Sequence, residues 1–221
     1  MPLSTILPDK DGYALVNTGT HAGSRGASTA DSVAHTGTQS TTAISYQRGT
    51  KGGIFYLISR TFMYFDTSGI TDTITDATLK VYGSGNGTGD VIVLKSTAFG
   101  GDGSSDLVAG DYDNIDFSTA YSSEIDTWST SNFNNITLNS TAQTDIKNND
   151  AFIIAITNYD FDHQDTDPGV NVDLSNGALY VDFGDSGRRP KLEVTTEDPP
   201  TIYNFQLTSG LLKITEGLVK V

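Results

Sequence analysis

The chain has 221 residues, no cysteine and a formal net charge of −14. That length holds a sizeable core in one large domain, or in one domain with an appendage. The missing thiols exclude disulfide scaffolds and thiolate metal sites, the acidic surface repels phosphate backbones and disfavours nucleic acid, and no apolar run reaches the ~20 residues of a spanning helix.

In chain order, residues 12–17 read as a first short strand. Residues 18–42 are polar and Gly/Ser/Thr/Ala-rich, carry His21, Arg25 and His35, and read as a surface loop or as ribbon-like strands with small side chains. Residues 43–46 are a further strand candidate. The densest signal runs over 55–83. Phe55 to Asp66 is rich in aromatic and β-branched residues, which pack well on a pleated surface. Asp66, Ser68 and Gly69 supply turn chemistry. Ile74, Ala77, Leu79 and Val81 then build a second strand, with Thr78, Lys80 and Tyr82 on its opposite face.

Residues 90–97 place apolar side chains on both faces, which predicts a central strand covered on both sides. Residues 99–131 read as an irregular acidic excursion carrying the only tryptophan, Trp128. A strand at 133–139, a single helical turn over 140–147 capped by Ser140, and the most apolar strand, 151–159, come next. An acidic loop over 160–169, strands at 170–174 and 178–183, and a closing strand at 191–196 follow. Short strands, turn signals and little helical periodicity predict an all-β antiparallel sandwich or jelly roll. Phe62, Leu79, Val93, Ile154, Ile156 and Leu192 are expected in its core.

Beyond residue 198 the texture changes. Pro199 and Pro200 lack backbone donors and make a stiff joint. SGLLKI (209–214) and EGLVKV (216–221) then repeat Gly-Leu-aliphatic-Lys-aliphatic. So short a ribbon is marginal alone. The expected organisation is a sandwich over 1–198 and an attachment or oligomerisation ribbon over 199–221. The ribbon docks through Leu211, Leu212, Ile214, Leu218, Val219 and Val221, on its own sandwich or on another subunit.

Four motifs carry a resemblance. They are Asp11-Gly12-Tyr13-Ala14-Leu15-Val16, Arg60-Thr61-Phe62-Met63-Tyr64-Phe65-Asp66, the run from Ile74 to Tyr82, and Arg189-Pro190-Lys191-Leu192-Glu193-Val194-Thr195. Over residues 9–197 the chain resembles the DNRLRE-type (disaggregatase-related) β-sandwich module, related to carbohydrate-binding modules. Its Tyr-Phe-Asp-Thr-Ser-Gly hairpin is similar to versions found in phage and prophage virion proteins. The resemblance implies a fold and a setting, and it assigns no binding residue.

Asp160, Asp162, Asp165 and Asp167 are the best chemical candidates. Clustered carboxylates repel one another unless a cation or solvent screens them. Ca²⁺, the one cofactor considered, takes about 6–8 hard oxygen ligands. The spacing departs from the EF-hand pattern, and the competing reading is a solvated loop. Residues 100–106 echo a single calcium-binding nonapeptide, a weak signal without tandem copies. Tyr112, Trp128 and Tyr159 are candidates for a glycan platform, because sugar rings stack on flat aromatics; core packing is the competing reading. His21, His35 and His163 lie far apart, and neither Gly-x-Ser-x-Gly nor His-Glu-x-x-His occurs. No catalytic residue is assigned, and the chain reads as a non-enzyme.

The expectation is a phage virion structural protein on the particle surface: a capsid decoration, head-fibre or tail-fibre component assembled through its C-terminal segment. Residues 1–16 lack a signal-peptide pattern, so synthesis in the host cytoplasm is expected. Capsid or tail proteins, further copies in a homo-oligomer and a host glycan are the expected partners. Nucleic acid and membrane insertion are not expected. The alternative is a carbohydrate-binding module that recognises a polysaccharide.

Overall fold

The computed structural model describes residues 1–35, 41–49, 54–83, 89–167, 169, 174–181, 187–198, 205–208 and 211–214, with backbone alone for 35, 41–49, 174–181 and 205–214 where described. Two antiparallel sheets pack face to face, as the alternating strand patterns predict. One sheet is ordered β1 (Leu3–Ile6), β12 (Lys191–Thr196), β6 (Ile74–Tyr82), β9 (Phe133–Thr137). The other is ordered β11 (Leu174–Val181), β4 (Thr41–Gly49), β5 (Phe55–Asp66), β10 (Ala151–Asn158), β7 (Val91–Ser96), β8 (Ile115–Ala120). At its side, β2 (Lys10–Thr18) pairs with both β5 and β3 (Ser32–His35).

β5 organises the second sheet because its 12 residues exceed the reach of any single neighbour. β2 runs along one edge from Tyr56 to Tyr64. The other edge is shared: β4 takes Phe55 to Ser59 and β10 takes Thr61 to Asp66.

Side chains alternate along a strand, so β5 feeds two cores. Met63 and Phe65 face the four-stranded sheet and pack with Leu79, Val81, Val93, Ile154, Ile156 and Leu192. Tyr56, Ile58 and Phe62 face the other way. There they meet Ala14 and Val16 of β2, Ile153 and Ala155 of β10, and a lid made by Phe99, Leu107 and Tyr112. All six core residues expected from sequence are fully buried. The lid makes a third layer, which residues 99–131 do not announce.

Several local expectations are corrected. Residues 115–120 form the edge strand β8, joined to β7 across a register shift between Leu94 and Lys95. Asp116 accepts from Ser118 and Thr119, a turn-like chemistry that hides the strand. The single helical turn is a nine-residue helix, α2 (Ser140–Asn148), because Ala142 and Ile146, one turn apart, are buried in the inter-sheet core. Its cap is Asn139, whose Oδ1 accepts from Ala142 N at 3.1 Å, and Ser140 is already helical. Within 18–42 the chain forms a short helix, α1 (His21–Arg25), capped by Thr20, and then β3. The strands expected at 170–174 and 178–183 are one strand over Leu174–Val181, with 170–173 and 182–183 outside the described residues.

β13 (Phe205–Thr208) and β14 (Leu211–Ile214) pair with each other as a two-stranded sheet of their own. The diproline and Leu218, Val219 and Val221 lie outside the described residues.

Candidate functional site

Three of the sequence-selected residues, Asp162, Asp165 and Tyr112, gather on the outer side of the larger sheet, beside Arg60 and Arg25. Arg60 sits in β5 on the face of Ile58 and Phe62, fully buried. Its Nε donates to Asp162 Oδ2 at 2.8 Å and its Nη2 to Asp162 Oδ1 at 2.6 Å, a two-pronged pair. Nη1 donates to Tyr112 O at 2.8 Å, and Nη2 also donates to Arg25 O at 2.8 Å. The guanidinium lies 4.0 Å from the centroid of the Tyr112 ring. Thr157 Oγ1, on β10, donates to the same Asp162 carboxylate. Burial pulls the Arg60 pKa down, and Asp162 more than offsets it, so the group stays charged. One side chain thereby ties α1, the 109–113 turn and the 159–163 turn onto β5.

The four aspartates do not close around a common centre. Asp162 points inward to Arg60. Asp165 is exposed and lies 3.3 Å from Arg25 Nε and 3.8 Å from His21 Nδ1. Asp167 Oδ1 accepts from Gly169 N at 2.9 Å. The amide of Asp160 donates to Asp90 Oδ1 at 3.3 Å. Among the described residues, no group of three or more His, Asp or Glu side chains is placed to hold a metal ion. The physical reason is that guanidinium groups of the chain already neutralise the two central carboxylates. Mutual repulsion in the run, which the sequence reading left to a cation or to solvent, is relieved at Asp162 and Asp165 by Arg60 and Arg25.

The aromatic expectation is corrected at Tyr112, whose ring is fully buried beneath Arg60 and whose hydroxyl donates to Ser24 O at 2.8 Å. Trp128 is 8% exposed and packs in the inter-sheet core. Tyr159 is half-buried, with its ring 5.6 Å from His163, which stacks on Phe117 at 6.4 Å. The three do not form one platform. Arg60 is the residue that sequence reading passed over. Its signal was a charge inside the apolar run 55–66, which no strand buries without a partner.

The concavities among the described residues include two that bear on chemistry. A cleft of about 450 Å³ between β7, β10 and α2 holds Lys95 and Tyr121, which both donate to Asp145 Oδ2, at 2.8 and 2.5 Å. Burial alone would raise the Asp145 pKa; the bonds from Lys95 and Tyr121 outweigh it and hold the carboxyl below its usual range. Burial, then Asp145, pushes the Tyr121 phenol far up. Asp145 is thus a committed acceptor and Tyr121 a reluctant acid, a structural tie rather than a proton-transfer pair. The second concavity, about 490 Å³, runs beside the edge strand β9 and is lined by Thr127, Trp128, Ser129, Phe133 and Asn135. Its wall lies close to β6 because Gly83 has no side chain: a Cβ there would fall 1.7 Å from Ser129 O.

Compared with known proteins, the chain matches no family model and no curated protein.

Proposed function

We propose that this chain is a structural protein of a phage virion surface. In this reading it is a capsid decoration or a head- or tail-fibre component, made in the host cytoplasm and attached through its C-terminal segment to capsid or tail proteins and to other copies of itself. The observation that carries the reading is the β13–β14 ribbon, whose described residues pair with each other and with neither sandwich sheet. A lone hairpin is marginal in water. Strands with open edges gain affinity by adding to another sheet. The resemblance of residues 9–197 to virion-borne sandwich modules supports the setting, and the doubly covered β5 and β10 suit a module that must stay folded outside a cell. Deleting 199–221 tests it. Particles should lose the truncated protein while its sandwich keeps its melting temperature. Unfolding of the truncated chain, or its incorporation at full occupancy, refutes the reading.

A second reading, recognition of a polysaccharide, is favoured by the groove beside β9, where an indole, a phenyl ring and amide and hydroxyl side chains line one open concavity. Polysaccharide pull-down with the purified chain tests it.

A further inference from the structure

The four-stranded sheet has two outer strands, β1 and β9, and they are not equally guarded. An outer strand invites another chain onto its free backbone groups, and charges, prolines and bulges normally prevent this. β1 is flanked by Pro2 and Pro8. Residues 129–139, which contain β9, hold no proline and no charged side chain. Gly83 N donates to Asn132 O at 3.0 Å and Leu138 N to Ala77 O at 2.9 Å, so Asn134 and Ile136 are the residues of β9 in phase to bond β6. The N–H and C=O groups of Phe133, Asn135 and Thr137 therefore point away from β6. Among the described residues, none of these backbone groups has a hydrogen-bond partner.

A groove lies beside that edge. Residues 121–129 are tied to β9 at both ends: Asn139 N donates to Tyr121 O at 2.8 Å, and Ser129 N to Asn134 Oδ1 at 2.7 Å. Between these ties the segment arches away to β7, where Ile125 exchanges two backbone bonds with Val91, at 2.8 and 3.1 Å. Under the arch is a concavity of about 380 Å³, which shares Ile125, Asn135 and Ile136 with the larger groove described above. Ile136 is buried and Ile125 half-buried, whereas Glu124 and Asp126 are exposed. The inner side of the groove is thus aliphatic and its rim acidic. No Lys or Arg lines either concavity. Lys80 and Lys191, on the outward face of the same sheet, are held by Glu193 at 2.8 and 3.5 Å.

We propose that the free edge of β9 receives β14 of a second copy as an added strand of the four-stranded sheet. The assignment rests on the reading of the C-terminal segment as an assembly element, and it names the surface which that segment meets. Among the described residues, β14 pairs only with β13, so it too has an edge to fill. Main-chain bonds to Phe133, Asn135 and Thr137 supply the affinity. The sequence of β14, Leu-Leu-Lys-Ile, suits the groove. Alternate positions of an added strand face opposite sides of the sheet. In the complex, Leu212 and Ile214 therefore meet Ile125 and Ile136, and Lys213 meets Glu124 and Asp126. Residues 199–221 hold two lysines and one glutamate in a chain of net charge −14, so the arriving segment has the opposite sign to the rim. Repulsion between the two acidic bodies is screened beyond about 8 Å at physiological salt.

Sedimentation of the full chain across micromolar concentrations, with residue-resolved amide exchange, tests the proposal. The wild type should associate, and the amides of Phe133 and Thr137 should be protected in the associated form. Asn135→Pro removes a donor that β6 does not use, in an outer strand where proline is tolerated. It should weaken association on the order of tenfold. Thr137→Lys, at an exposed position of the same edge, should do likewise and serves if the proline unfolds the chain. Lys213→Glu should also weaken association, and adding Glu124→Lys and Asp126→Lys should restore it, a recovery that misfolding does not mimic. Association that Lys213→Glu weakens but both β9 substitutions leave unchanged overturns the site and leaves the ribbon reading standing. Association that the β9 substitutions abolish but Lys213→Glu does not touch overturns the ribbon as occupant, in favour of β9 of a second copy. A chain that stays monomeric with Phe133 and Thr137 protected puts the ribbon on its own sandwich, and one that stays monomeric with them unprotected leaves the edge bare; both overturn the proposal. Incorporation of the chain lacking 199–221 into particles remains the separate test of the ribbon reading.

Discussion

A buried guanidinium is costly to desolvate, and Arg60 is tolerated because four hydrogen bonds and an aromatic face receive it. Removing one partner strands the other charge. Arg60→Met or Asp162→Asn should therefore each cost ~3–5 kcal/mol in urea unfolding, and Arg60→Met with Asp162→Leu should recover much of that loss. His163 and Asp90 make a second prediction, with opposite signs. His163 Nδ1 is buried without a hydrogen-bond partner; burial pushes the ring's pKa below 6.5, Asp162 opposing and Arg25 adding. Its neutral form is the native one, so its stability contribution is present above 6.5 and is lost as pH falls. Burial first, with Asp160 and Glu124 adding, raises Asp90 to about 6, so its contribution is full below 3.8 and is lost as pH rises through about 6. Melting temperatures between about pH 4 and pH 7 should lose their acid-side fall in His163→Phe and their neutral-side fall in Asp90→Asn. At this scale Arg60 was readable as a charge in an apolar run. Its acceptor, 102 positions away, was not, because a lone sequence carries no pairing information between distant charges.

Helix α2 shows what decides an element's extent. Asn139 Oδ1 caps the helix, and Asn139 Nδ2 donates to Ala120 O at 2.7 Å, which fastens the helix start to the end of β8. Asn139→Ala should cost ~1–2 kcal/mol in chemical denaturation, and Ser140→Ala only a few tenths. Sequence reading chose the wrong member of this pair because Asn and Ser cap about equally well. Strands β5, β6, β7, β10 and β12 were visible because their apolar residues alternate or run unbroken, and that pattern needs no partner to be read. β1 and β8 were not, and β3 was read only as one of two alternatives for residues 18–42. They are short edge strands of half-exposed and polar residues, and tertiary pairing rather than side-chain pattern makes them strands.

In the molecule as a whole, the two cores are one cooperative unit because β5 and β10 contribute to both. Phe62 lies in the outer core and Trp128 in the inter-sheet core. Phe62→Ala should cost ~3–5 kcal/mol, and the Trp128 fluorescence transition should move with the circular-dichroism transition rather than precede or follow it. The antiparallel sandwich followed from strand patterning. The third layer did not, because Phe99, Leu107 and Tyr112 are scattered through irregular chain, where no period marks a buried face.

β12 begins at Lys191 and finishes at Thr196, two residues before Asp198, whose carboxylate lies 2.5 Å from the amino group of Met1. It is flanked along its length by β1 on one side and β6 on the other. Interstrand hydrogen bonds lie across the strand axis. A pull between the Lys191 end of the sheet and the chain beyond residue 198 therefore runs along β12 and loads both ladders in shear, so many bonds must yield together. The same force applied across the strand would unzip them one at a time.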